Sequence, residues 1–122
     1  MLKKLNWPAI LWALFILIIC GIPGDKIQLK LGFELFLDKL VHIIVFGVQA
    51  MLLIFNPYSK KQYDGTILMI VALVSSFGAL IEILQATVFI NRSAELNDWI
   101  ADTAGAVLGC LLMRWFLRRK TA

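Results

Sequence analysis

The chain has 122 residues, 61% of them hydrophobic, with a mean hydropathy of +0.84 and a formal net charge of +4. A soluble domain is about half apolar, so this excess argues against an ordinary water-soluble fold and for a single membrane domain over residues 1–122. The Lys and Arg residues flank apolar segments instead of forming one basic stripe, which disfavours nucleic acid as a partner and makes the membrane the expected one.

The first apolar run, WPAILWALFILIICGI, predicts a helix over roughly 7–22 with Pro8 tolerated in its first turn. Lys3 and Lys4 precede it as the basic region of a signal peptide would. Ile19 and Leu17, however, stand where cleavage before Cys20 needs small residues, so the helix is expected to stay. The stretch from Pro23 to Lys39 reads as the longest loop, with KIQLKLGFELFL alternating imperfectly, as a short hairpin or an interfacial amphipathic piece would.

The second run is LVHIIVFGVQAMLLIF, and it reaches spanning length only if Asp38 and Lys39 form its first turn, giving a helix over 38–55. NPYSKKQYDG is a polar turn. The third and fourth helices are expected over 67–90 and 98–117. The fold class is therefore an all-α membrane protein, a four-transmembrane-helix bundle. With four spans, one side collects Lys3, Lys4, Lys60, Lys61, Arg114, Arg118, Arg119 and Lys120; the other holds Lys26, Lys30, Lys39 and Arg92. The positive-inside rule then puts both termini in the cytoplasm of a multi-pass inner (plasma) membrane protein. Cys20 and Cys110 fall at different depths, which disfavours a disulfide, and neither has a metal partner at short spacing.

Three helices carry a polar or small stripe among Leu, Ile, Val, Phe and Trp: Asp38, His42 and Gln49; Ser75, Ala79, Glu82, Gln85 and Ala86; Asp98, Asp102, Gly105 and Gly109. Lipid cannot satisfy such groups, so the stripes face inward. At about 1.5 Å of rise per residue, the ionisable groups on the three helices reach similar depths near the outer face, with Arg92 overhanging them. An Asp or Lys at a helix centre costs about 2.5–3.5 kcal/mol on insertion scales. Interhelical polar contacts return only about 0.6 kcal/mol each. That imbalance favours a built site over polar glue. Glu82, the deepest carboxylate, is expected to be protonated or paired with His42 or Arg92. Gly105 and Gly109 form G-x-x-x-G, read as packing within the bundle.

DKLVH followed by F, then EILQ, then RSAELNDWIADTAGAVLG, resembles the VanZ-like family of small membrane proteins, named for a teicoplanin-resistance protein. The resemblance falls on Asp38, Lys39 and His42; Glu82 and Gln85; Arg92 and Asp98; then Asp102, Gly105 and Gly109, with Asp102 where the family often carries Asn. It implies the architecture and the site positions and names no reaction.

The expected function is an accessory cell-envelope role, with glycopeptide resistance as the family's analogy. In it, Asp38, Lys39, Gln85, Arg92 and Asp102 bind a membrane lipid or lipid-linked anionic ligand. The alternative is an enzyme acting on a lipid-linked phosphate. There His42, with Glu82 and Asp98, is the general acid or base. A proton-coupled carrier is the weakest reading, because no polar path continues inward beyond Gln49 and Ser75. The sequence names no cofactor, no metal and no oligomeric state.

Overall fold

The computed structural model describes residues 7–21, 34–55, 64–88 and 96–121. They form four helices in the expected order: α1 (Trp7–Gly21), α2 (Glu34–Ile54), α3 (Asp64–Thr87) and α4 (Leu96–Thr121). Local chemistry accounts for most of their ends. Proline at position 8 needs no N–H in a first turn, and Pro23 stands two residues beyond the last of α1. The Phe55 N–H still donates to Met51 O at 2.9 Å. Asn56 then precedes Pro57, a position that disfavours the helical region. Asp98 in the first turn of α4 complements its dipole.

The helices have 15, 21, 24 and 26 residues. Two contain a stretch long and apolar enough to cross a membrane, Thr66–Thr87 and Leu96–Arg119; the apolar parts of the others, Trp7–Gly21 and Lys39–Ile54, are shorter. Several boundaries differ from the sequence expectation, with α3 ending at Thr87 instead of 90 and α4 starting at Leu96 instead of 98. Residues 34–37, assigned to the long loop, are the first turn of α2, so Asp38 lies in its second turn. Asp64 and Gly65 begin α3 instead of closing the preceding turn. Helix α4 continues to Thr121 and carries the basic cluster with it. The remainder of the loop lies outside the described residues.

Among the described residues, helices α2 and α4 make the most extensive contact and run parallel: Lys39 meets Asp98, His42 meets Asp102, and Gly47 meets Gly105 and Gly109. Helix α3 lies antiparallel to both, with Gly78 against Asp102 and Ser75 against Thr103. The core joins Ile16, Phe46, Ala50, Val74, Ile81, Ala106 and Cys110. Large apolar side chains cover the outside of every helix, among them Leu11 and Ile18, Val41 and Ile44, Leu68 and Ile83, and Leu108 and Leu111. The buried set includes His42, Gln49, Glu82, Gln85, Asp98 and Asp102. Apolar faces outward with ionisable groups inward reverses the arrangement that water selects.

Glycine makes the α2–α4 contact possible. A Cβ on Gly105 would lie 2.9 Å from Ile43 Cα and closer still to Ile43 O; one on Gly109 would lie 2.9 Å from Gly47 C and closer still to Gly47 O. Backbone meets backbone, where no side chain can rotate away. Small residues are favoured at membrane helix contacts for this reason. Both glycines of G-x-x-x-G thus face α2, inside the bundle.

Helix α1 is attached differently. Side-chain hydrogen bonds in both directions staple it to α2 and α3: Trp12 Nε1–H of α1 donates to Val45 O of α2 at 2.8 Å, while Gln49 Nε2–H of α2 donates to Ala9 O at 3.2 Å and Gln85 Nε2–H of α3 to Cys20 O at 3.3 Å, both carbonyls of α1. The last of these reaches a carbonyl in the last turn of α1, where helix carbonyls need acceptance from outside. An apolar cavity of about 230 Å³ separates part of α1 from α2 and α3, lined by Ala9, Ala13, Gln49, Leu53, Leu73 and Phe77 among others.

Two predictions follow from these contacts. Gly105→Ala and Gly109→Ala each destabilise the protein by about 1–3 kcal/mol, as overpacking does. Gly47→Ala, whose Cβ would lie 3.1 Å from Gly105 O, costs less. Denaturation in mixed micelles reads the order, and equal losses at all three positions contradict it. Removing the Trp12 staple loosens α1 alone. In Trp12→Ala, a membrane-permeant maleimide should modify Cys20 faster while Cys110, a fully buried core residue of α4, keeps its wild-type rate.

Candidate functional site

The polar residues of α2 sit at one end of the parallel pair. Lys39, His42 and Phe46 step by three and four along one face, and Asp98 and Asp102 step by four along the facing side of α4. Because the two helices run in the same direction, each step inward on one matches a step on the other. Lys39 Nζ forms an ion pair with Asp98 Oδ1. One turn deeper, His42 Nδ1–H donates to Asp102 Oδ1 at 2.7 Å. The other nitrogen, Nε2, faces Asp98 Oδ2 at 3.7 Å, too long for a hydrogen bond but close for an ion pair. Asp98 therefore stands between the ammonium and the imidazole.

Burial grades inward. The Lys39 side chain is 25% exposed, the Asp98 side chain 9%, and Asp102 0%. Phe46, a turn beyond His42, stacks on the imidazole with centroids 6.2 Å apart and planes 8° from parallel. Phe46 in turn packs on Phe77 of α3 at 6.1 Å. These rings form the floor beneath the polar cluster, and Phe77 also lines the apolar cavity.

The structure sorts the sequence candidates. It brings Lys39, His42, Asp98 and Asp102 together. Glu82, expected to be protonated or paired with His42 or Arg92, is buried on α3 at 8% exposure. Gln85 is buried as well, but its amide N–H holds α1, as does that of Gln49. Lys39, expected to meet an anionic ligand, is engaged by Asp98. Asp38 lies in α2, while its side chain and the whole of Arg92 lie outside the described residues. Among the described residues, no group of three or more His, Cys, Asp or Glu is arranged to hold a metal ion.

Thr103, readable from the sequence as a helix-packing hydroxyl, does pack, and its partners Ser75 and Trp99 are what the sequence did not name. Trp99 Nε1–H donates to Ser75 O at 2.9 Å, tying α4 to α3 beside the cluster. Thr103 Oγ1–H donates to Trp99 O at 3.0 Å, which leaves Ser75 Oγ–H as the donor in the 2.8 Å Ser75–Thr103 bond. Both hydroxyls are thereby spent on helix packing. The signal was present in the spacing of Trp99 and Thr103, one turn apart on the α3-facing side, but nothing in it names the acceptor.

Chemically, the cluster holds one imidazole oriented by a buried carboxylate and one ammonium shared with a second carboxylate. Such a set can hold a polar or charged head group and can hold or pass a proton.

Comparison with known proteins adds a family and nothing finer. No curated protein matches this chain, and no solved structure does. The family model described as VanZ/LLP1 matches residues 2–117, a span that contains α1 to α3, all but the last turn of α4, and every residue of the polar cluster. The chain belongs to the VanZ/LLP1 family.

Proposed function

We propose that this protein is a four-span membrane protein, both termini cytoplasmic, that serves the cell envelope in an accessory role by holding the head group of an anionic envelope lipid in its outer-leaflet polar pocket. The observation that carries the reading is the buried cluster of Lys39, His42, Asp98 and Asp102 at one end of a bundle whose outer faces are apolar. So many ionisable groups at membrane depth are poorly explained as packing, given what each costs. Four spans are supported by the exposed apolar faces of the two shorter helices, Leu11, Leu14 and Ile18 on α1 and Leu40, Val41 and Ile44 on α2. A surface of that kind is stable against lipid and not against water. The basic cluster on the last turns of α4, where Arg119 lies 4.2 Å from the Trp115 ring centroid, suits a cytoplasmic interface.

The ion pair tells how an anion would enter. Lys39 is the exposed member of the cluster, and its partner Asp98 is already 3.7 Å from His42 Nε2. An arriving phosphate takes the ammonium, and Asp98 turns to the imidazole. Arg92, in the segment before α4, would supply the second positive charge. Asp98 is then a competitor of the ligand, so Asp98→Asn should retain as much anionic lipid as wild type or more. Lys39→Ala and Arg92→Ala should lose it. Lipid carried through purification from native membranes and quantified by mass spectrometry reads all three. An unchanged lipid complement in both cation variants sinks the proposal.

One observation favours a second reading. The Asp102–His42 arrangement is one that orients a general base, with Nδ1 given to a buried carboxylate and Nε2 turned toward Asp98 at the exposed side of the cluster. As an enzyme acting on a lipid-linked phosphate, the protein would lose function in His42→Gln and Asp98→Asn alike. As a binder, it tolerates both. Complementation of a deletion strain by these two variants separates the readings. Topology is tested by an impermeant thiol reagent: a single cysteine placed in the segment 23–33 should react from outside intact cells, and one placed after Thr121 should not.

A further inference from the structure

Gly78 on α3 is buried, and the space its missing side chain leaves has an occupant. A Cβ there would lie 2.8 Å from Asp102 Oδ2, 3.1 Å from Asp102 Cβ and 3.4 Å from Asp102 Cγ. These three nearest atoms all belong to one side chain. The other glycines of the bundle differ: the nearest neighbours of Gly47, Gly105 and Gly109 are backbone atoms of the helix they pack against. Those glycines let helices approach. Gly78 makes a seat for a carboxylate.

We propose that Gly78 is a positioning residue of the polar site, acting on His42 through Asp102. The Asp102 carboxylate is clasped between the α3 backbone and the imidazole, with one oxygen toward Gly78 and the other accepting from His42 Nδ1–H. Held there, it commits the Nδ1 proton and presents Nε2 toward Asp98 and Lys39, the exposed side of the cluster. A methyl group at position 78 takes the seat. Asp102, whose side chain is what the methyl meets, must then change rotamer, and the imidazole loses its fixed partner; withdrawal of α3 instead would leave the pair intact. Three elements thus set the working nitrogen: His42 from α2, Asp102 from α4 and the vacancy on α3. Gly78 shares the inward stripe of Ser75 and Glu82, stepping by three and four between them. The importance of this seat for function rests on the reading of the cluster as the ligand site; the seat itself does not.

The chain has a single histidine, so its ring nitrogens can be read without assignment ambiguity. Full-length protein labelled with 15N-histidine and held in lipid nanodiscs should show an Nδ1-bound proton shifted by a strong hydrogen bond. Asp102→Gly should abolish that signal. Gly78→Ala should abolish it too while the protein remains inserted and helical, an effect that a general packing role would not produce. Retention of the wild-type Nδ1–H resonance in Gly78→Ala overturns the proposal.

Thermal unfolding supplies a second measurement. Asp102→Gly removes all three atoms that a Cβ at position 78 would meet, so in that background Gly78→Ala should leave Tm unchanged or raise it, since alanine is the better helix former. In the wild-type background it should lower Tm. Equal losses in both backgrounds overturn the proposal. Should Gly78→Ala alone fail to fold, recovery of folded protein in the double variant supports the seat, and failure to recover overturns it. Neither readout uses lipid retention, so the outcome stands or falls separately from the binding proposal.

Discussion

The backbone contact between α2 and α4 governs the rest of the molecule. Gly105 and Gly109 lie against Ile43 and Gly47 with no side chain between them, and the helices run parallel. A parallel pair at this separation aligns depth with depth. Lys39 therefore finds Asp98, and His42 finds Asp102, each over the reach of one side chain. If the helices stood a methyl group further apart, the 2.7 Å bond from His42 to Asp102 would lengthen or its rotamers would strain. Close packing at the glycines and hydrogen bonding at the polar end are one constraint viewed at two depths.

That constraint also explains why charge is tolerated where it is. Each ionisable group in the cluster faces a partner of opposite or complementary character: ammonium with carboxylate, imidazole with carboxylate. Desolvation of a lone charge is large, whereas a hydrogen-bonded pair recovers much of it. Removing one member leaves the other exposed to that cost, which is the ordinary reason such clusters behave as units. Asp98 is the exception in kind, because it has two candidate partners, Lys39 and His42 Nε2. A group poised between two partners can exchange them without leaving either unsatisfied for long, and the proposed entry of an anion uses that property.

Helix α1 stands apart from this unit. It is docked by side-chain amides and an indole that reach backbone carbonyls, and part of its length borders a cavity. The two glutamines take carbonyls of α1 whatever its side chains, whereas the third bond needs Trp12 on α1 itself. The bundle therefore divides into a glycine-packed centre of α2, α3 and α4, which carries the polar cluster, and an outer helix that closes one side.

Much of this was legible in the residues alone. The all-helical class, the four apolar runs and the inward stripes containing His42, Glu82, Asp98 and Asp102 follow from composition and from a 3.6-residue period, both of which are local. G-x-x-x-G announced a close helix contact for the same reason. What a period cannot supply is the partner across the gap. The sequence offered His42 or Arg92 to Glu82 and an anion to Lys39; only the parallel register of α2 and α4 gives Asp102 to His42 and Asp98 to Lys39. Gln49 and Gln85 were visible as buried amides, but their duty to α1 depends on where a helix some forty to sixty-five residues away comes to rest. Gly78 shows the difference most plainly. The sequence stripe on α3 passes over it in favour of Ala79, and in the fold it is the room that Asp102 occupies. Periodicity fixes which face of a helix is polar because it depends on neighbours in the chain, whereas pairing depends on which backbones can touch, and that is decided in three dimensions.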